Sequence, residues 1–167
     1  MRKLNILKAI VDFIWIMSLF ALPLIIVFFV FIIFSNETID IPLKINDLEI
    51  DTSIGQSKYL LPVALMHFGL FIYALYFFRK LLENFKKLII FEVENAKLLN
   101  KIGQLIMINA VVYALLTFAL QLLIGKLTID IGYGPFLYVL ALGLFFSVLS
   151  EVFLMGKKLK EENELTI

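Results

Sequence analysis

The sequence has no cysteine, one histidine, one tryptophan and four prolines among its 167 residues. The missing cysteines exclude disulfides, iron–sulfur clusters and thiolate zinc sites, and leave the redox compartment unmarked. His67 stands without a second histidine or a nearby carboxylate in its segment, which makes a poor metal site and no catalytic triad. Also missing are a phosphate-binding Gly-rich loop, a Gly-x-Ser-x-Gly nucleophile turn and a His-Glu-x-x-His helix. These absences predict a protein that is not an enzyme and carries no cofactor or metal. Neither sign of charge is in excess: 15 basic residues face 14 acidic ones. Net charge therefore gives no reason to expect direct nucleic-acid binding.

What the chain does have is hydrocarbon, at 62% hydrophobic residues. Four segments, 11–34, 59–78, 103–124 and 136–155, each run for roughly 20 residues or more with at most one formal charge. A helix of that length crosses about 30 Å of lipid, and helix is the economical choice where no water can satisfy the backbone. The pattern predicts an all-α membrane protein, a single domain over residues 1–167 built as an antiparallel bundle of four transmembrane helices. The basic start followed by an apolar run imitates a secretory signal. That run continues to Phe34 and lacks a small-residue cleavage site, so it is expected to remain as a span.

Charge sets the orientation. Twelve of the fifteen basic residues lie before span one (Arg2, Lys3, Lys8), between spans two and three (Arg79, Lys80, Lys86, Lys87, Lys97, Lys101) or after span four (Lys157, Lys158, Lys160). Lys44, Lys58 and Lys126 occupy the other side. The positive-inside rule then makes both termini and the central loop cytoplasmic. In the first outer loop Ile39, Ile41, Leu43 and Ile45 share one parity, the period of a half-buried strand. Thr38-Ile39-Asp40-Ile41 reappears as Thr128-Ile129-Asp130-Ile131 in the second, a short match that fits either a duplication or chance. The outer loops are thus expected to be short and β-like, with strands that could pair. Inside, residues 79–102 carry Leu81, Leu82, Phe85, Leu88 and Ile89 at helical spacing, which predicts a helical hairpin turning near Ile90 or Phe91. Glu92 and Glu94 suit the positive start of its second helix.

Polar residues within the spans ask for partners. Asn109, Tyr113, Thr117 and Gln121 recur every four residues in span three, and Gly143, Ser147 and Glu151 do so in span four, with Ser150 alongside. Two readings compete: packing faces joined by interhelical hydrogen bonds, or a polar crevice for an ion, proton or small ligand. His67, near the middle of span two, is expected to bond to a neighbouring helix. Asp12 has Lys8 one turn before it and should pair with it. Glu151 lacks such a neighbour and needs another helix or interfacial water. Pro23 predicts a kink in span one, and Trp15, Tyr76, Tyr59 and Tyr138 fit interfacial anchoring.

Two segments carry more specific content. "EVFLMGKKLKEENELTI" resembles the ending of the YoaS-like family of small bacterial membrane proteins, through Glu151, Val152, Phe153, Gly156, Leu159, Glu161, Glu162, Glu164, Leu165, Thr166 and Ile167. "FEVENAKLLNKIG" resembles that family's central Phe-x-x-Glu-Asn segment, through Phe91, Glu94, Asn95, Leu98, Ile102 and Gly103. Family members often have a Gly shortly before the Phe and a Ser or Thr after it, where this chain has "KLIIFE". The resemblance implies a multi-pass protein of the bacterial inner membrane, encoded beside a small Cro/CI-like helix-turn-helix regulator. A regulatory or sensory role follows as an expectation, with Phe91, Glu94, Asn95, Glu162, Glu164, Leu165, Thr166 and Ile167 as cytoplasmic contacts. The tail would add to a partner as a short strand or fold back on Phe91. The alternative is a small oligomeric transporter or channel subunit, with Asp12, His67, Asn109, Thr117, Gln121, Ser147 and Glu151 as intramembrane polar residues. The expected partners are the bilayer, the regulator and further copies of the chain.

Overall fold

Four unbroken helices form over the apolar segments in a computed structural model of the chain, which describes residues 2–35, 43–45, 48–50, 60–124 and 134–165. The helices are α1 (Arg2–Phe34), α2 (Leu61–Lys86), α3 (Val93–Ile124) and α4 (Pro135–Leu165). All four are long and apolar enough to cross a membrane, which makes the chain a multi-pass membrane protein. α1 continues through Pro23. Between α1 and α2, strands β1 (Leu43–Ile45) and β2 (Leu48–Ile50) pair antiparallel, Leu43 opposite Ile50 and Ile45 opposite Leu48. Both Thr-Ile-Asp-Ile stretches, together with Tyr59, lie outside the described residues.

The helices pack in chain order, α1 on α2, α2 on α3 and α3 on α4, the last pair most extensively. Two apolar clusters hold them. Near the strands, Phe29 and Ile32 of α1 meet Leu61 and Ala64 of α2 and Leu116 and Leu120 of α3. At the opposite end, where α2 turns into α3, Leu81 packs with Leu98, Leu99 and Ile102 under Phe85 and Phe153. Partners ascend on one helix while they descend on the next, so neighbours run antiparallel. Large apolar side chains such as Phe20, Leu24, Val27 and Phe31 of α1 stay exposed, as a lipid-facing surface requires.

Residues without Cβ set the closest approach. A Cβ on Gly103 would lie 2.6 Å from both the Gly143 carbonyl oxygen and Ser147 Oγ, and one on Gly143 would lie 2.5 Å from Met107 Cγ. α3 and α4 therefore cross backbone to backbone, the small-residue contact that membrane helices use where lipid gives no hydrophobic drive to associate. Ser147 Oγ donates to the Gly143 carbonyl on its own helix, at 3.3 Å.

The four-residue stripe expected on α4 does not stay inward. Gly143 and Ser150 are buried and Ser147 is half-buried, but Glu151 is exposed. A four-residue step overshoots one helical turn by about 40°, so two steps carry Glu151 away from the seam, while Ser150 remains on it.

Candidate functional site

Three places gather the residues singled out in the sequence: the α2–α3 turn, the inner ends of α1 and α2, and a crevice between α2, α3 and α4.

At the turn, α2 ends at Lys86 and α3 begins at Val93. Leu88 has φ +62°, the left-handed conformation that favours glycine. Its N–H donates to the Phe85 carbonyl, and the Lys87 and Ile89 N–H groups donate to Glu83 and Asn84. This chain makes its left-handed reversal with a leucine. Asn95 closes the loop. Its amide donates to the Ile89 carbonyl at 2.7 Å and the Ile90 carbonyl at 2.8 Å, and its Oδ1 accepts from Asn84 Nδ2 at 2.7 Å. It is 0% exposed.

The turn is then clasped to α4. Phe91 lies against Gly156, where a Cβ would sit 2.5 Å from its ring, and its ring centroid is 5.4 Å from that of Phe153. Phe153 also stacks on Phe85. Glu92 reaches Lys157 at 3.7 Å and Lys160 at 3.5 Å. Buried Ser150 Oγ donates to the Ala96 carbonyl at 2.7 Å. Glu94 pairs with Lys80 at 2.8 Å. That hydrogen bond and charge hold the Glu94 carboxyl below its usual range and raise the Lys80 ammonium above its own. The two segments that stood out in the sequence are therefore halves of one clasp. Asn95, expected to face a partner, is fully occupied inside it.

α4 stays helical to Leu165, which is 86% exposed and does not fold back on Phe91, and Glu162 and Glu164 are exposed on the same extension. Thr166 and Ile167 lie outside the described residues.

Asp12 pairs with Lys8 at 2.6 Å, as the one-turn spacing predicts. It also accepts from Arg79 Nε of α2, a partner that spacing within one helix could not reveal. The Arg79 guanidinium lies 4.4 Å from the Trp15 ring centroid, and Trp15 neighbours Tyr76. This network ties α1 to α2.

The crevice is a cavity of about 580 Å³ lined by α2, α3 and the start of α4. His67, Asn109 and Tyr113 line it beside Phe71, Phe136 and Leu142. The His67 and Tyr113 rings are 5.4 Å apart. His67 Nδ1 and Asn109 Oδ1 are buried without a hydrogen-bond partner among the described residues. The interhelical bond expected of His67 is thus missing at Nδ1, whose ring lies tilted beside Tyr113 on the cavity wall. Each such orphan costs about 1–3 kcal/mol.

The remaining polar residues do not join this pair. Thr117 Oγ1 donates to the Tyr113 carbonyl of its own helix at 2.9 Å. Gln121 is half-buried one turn further on. Ser147 sits at the glycine crossing, and Glu151 is exposed on α4. Among the described residues no group of three or more His, Cys, Asp and Glu is placed to hold a metal.

Residues 45–167 match a family described as "Protein of unknown function (DUF2975)". The chain belongs to the DUF2975 family. No match was found among curated proteins or among solved structures. In this DUF2975 protein the matched stretch contains β2, α2, α3 and α4, hence both the clasp and the crevice, whereas α1 precedes it.

Proposed function

We propose that the chain is a non-enzymatic regulatory or sensory protein of the bacterial inner membrane, and that its cytoplasmic face engages a small helix-turn-helix regulator. The observation that carries this reading is an exposed apolar surface on a fastened frame. Leu88 is 65% exposed on the turn, beside exposed Ile89 and Ile90, while Leu159 is 66% exposed on the α4 extension. The charge asymmetry of the loops supports placing this end in the cytoplasm. Large apolar groups displayed at the polar end of a bundle favour a protein partner. The YoaS-like resemblance supports the choice of regulator. With Asn95 buried in the clasp, the contact surface comprises Leu88, Ile89, Ile90, the exposed side of Phe91, Leu159 and the tail from Glu161 onward. The transporter reading loses support because His67 and Asn109 are not in line with Ser147 and Glu151.

The test is co-purification of the full-length chain in detergent with the product of the neighbouring regulator gene. Leu88→Ser with Leu159→Ser is expected to reduce recovery at least about tenfold, the loss of two apolar contacts. Deletion of residues 161–167 should weaken it further. Recovery unchanged in both variants would sink the proposal.

A further inference from the structure

The crevice between α2, α3 and α4 combines three properties that together describe a ligand. It is large: about 580 Å³ is far more than one water or ion needs and lies within the range of small-molecule sites. Its walls are mostly aliphatic and aromatic, and among the described residues no Lys, Arg, Asp or Glu lines it. An anion or ammonium group there would lack a counter-charge inside the membrane, where an unpaired charge is expensive. Finally, its wall carries two unpartnered polar atoms, His67 Nδ1 and Asn109 Oδ1, and Asn109 is only 9% exposed.

The atoms specify the polar group. An amide oxygen only accepts, so whatever satisfies Asn109 Oδ1 must donate. A neutral imidazole nitrogen accepts or donates according to its tautomer. The smallest uncharged group that meets both needs is a hydroxyl. Depth narrows the source: His67 lies near the middle of its span, below the level of glycerol and phosphate headgroups.

We infer that this crevice binds a neutral, largely hydrocarbon alcohol dissolved in the bilayer, its hydroxyl donating to Asn109 Oδ1 and meeting His67 Nδ1. The site stands apart from the cytoplasmic surface proposed above and does not depend on it. Tyr113 lies beside His67, the two rings tilted by 37°. Phe71, Phe136 and Leu142 provide the hydrocarbon walls.

Photolabelling of the full-length chain in phosphatidylcholine nanodiscs tests this. The probes are hexadecanol and hexadecane, each with a diazirine at the same chain position, and labelled peptides are mapped by mass spectrometry. The alcohol is expected to label the crevice peptides of α2, α3 and α4 about tenfold more than the alkane, the preference one membrane-buried hydrogen bond supplies. Asn109→Leu removes the acceptor and should lower that ratio at least about threefold, leaving His67 Nδ1 alone. Asn109→Leu with His67→Phe should bring it to about one, and His67→Phe alone, which keeps Asn109 Oδ1, should show a partial fall if the first variant does not fold. Val139→Phe, on the more exposed α4 wall, should abolish labelling by both probes by filling the space. Thr117→Val, whose hydroxyl is already bonded to its own helix, should leave the ratio unchanged. Equal labelling by alcohol and alkane, labelling elsewhere on the chain, no crevice labelling at all, or a ratio that survives Asn109→Leu would each overturn the proposal.

Discussion

Asn95 and Asn109 are both buried on α3, about four turns apart, and they do opposite things. Asn95 has every group of its side-chain amide engaged, and it fixes a turn that a leucine in a left-handed conformation would otherwise leave strained. Asn109 has an orphaned oxygen beside a void. A polar side chain within an apolar helix is thus either a fastener or a vacancy, and the difference lies in what the neighbouring helices bring to it. The clasp end of α2, α3 and α4 is closed by side chains from all three. Towards the strands the same helices leave a gap.

Substitutions should separate these two regions, beginning where the backbones touch. Gly103→Val places a Cβ against the Gly143 carbonyl, which cannot rotate away, so thermal unfolding in micelles should show a loss of about 3 kcal/mol or more. Asn95→Leu leaves two carbonyls and the Asn84 amide without partners. It should cost about 2–3 kcal/mol and open the 87–92 turn to protease. Gly156→Ala presses on the Phe91 ring, which can tilt, for a loss of about 1–2 kcal/mol by the same unfolding measurement. Leu88→Gly removes a left-handed leucine and should gain about 1 kcal/mol, despite the greater freedom of glycine in the unfolded chain. Asn109→Leu is expected to lose nothing and to gain up to about 1 kcal/mol, since it removes a buried oxygen that has no partner among the described residues. A loss comparable to that of Asn95→Leu would erase the distinction between the two asparagines.

Much of the fold was legible because lipid restricts the choices. Long uncharged runs in such a solvent fold as helices, and the four helices contain the runs apart from Leu60, which precedes α2, and Tyr59, which is not among the described residues. The helical hairpin at 79–102 was readable from apolar spacing. Contacts between helices were less so. The Lys8–Asp12 pair follows from a one-turn interval, but Arg79 comes from another helix and leaves no local trace. The α4 stripe misled because four residues are not quite one turn, and the error grew until Glu151 faced outward. Gly103 and Gly143 were visible as letters, yet their meeting depends on a crossing point that neither segment encodes alone. The crevice was the hardest part to foresee, since a void is specified by side chains that fail to meet.

The fastening of α4 has a mechanical consequence. The helix is held at Gly143, Ser150 and Gly156 and by the Lys157 and Lys160 pairs with Glu92, a gripped length of about 25 Å that leaves an overhang of about 12 Å beside the crevice and about 8 Å at the tail. One overhang borders the crevice, and the other bears the charged tail. A beam gripped along its middle does not behave as a seesaw: a load that bends one free end is absorbed in the grip. Movement at the crevice therefore reaches the tail only if α4 slides or turns within the grip, which puts the seam between the two glycines in control of any traffic between the two ends.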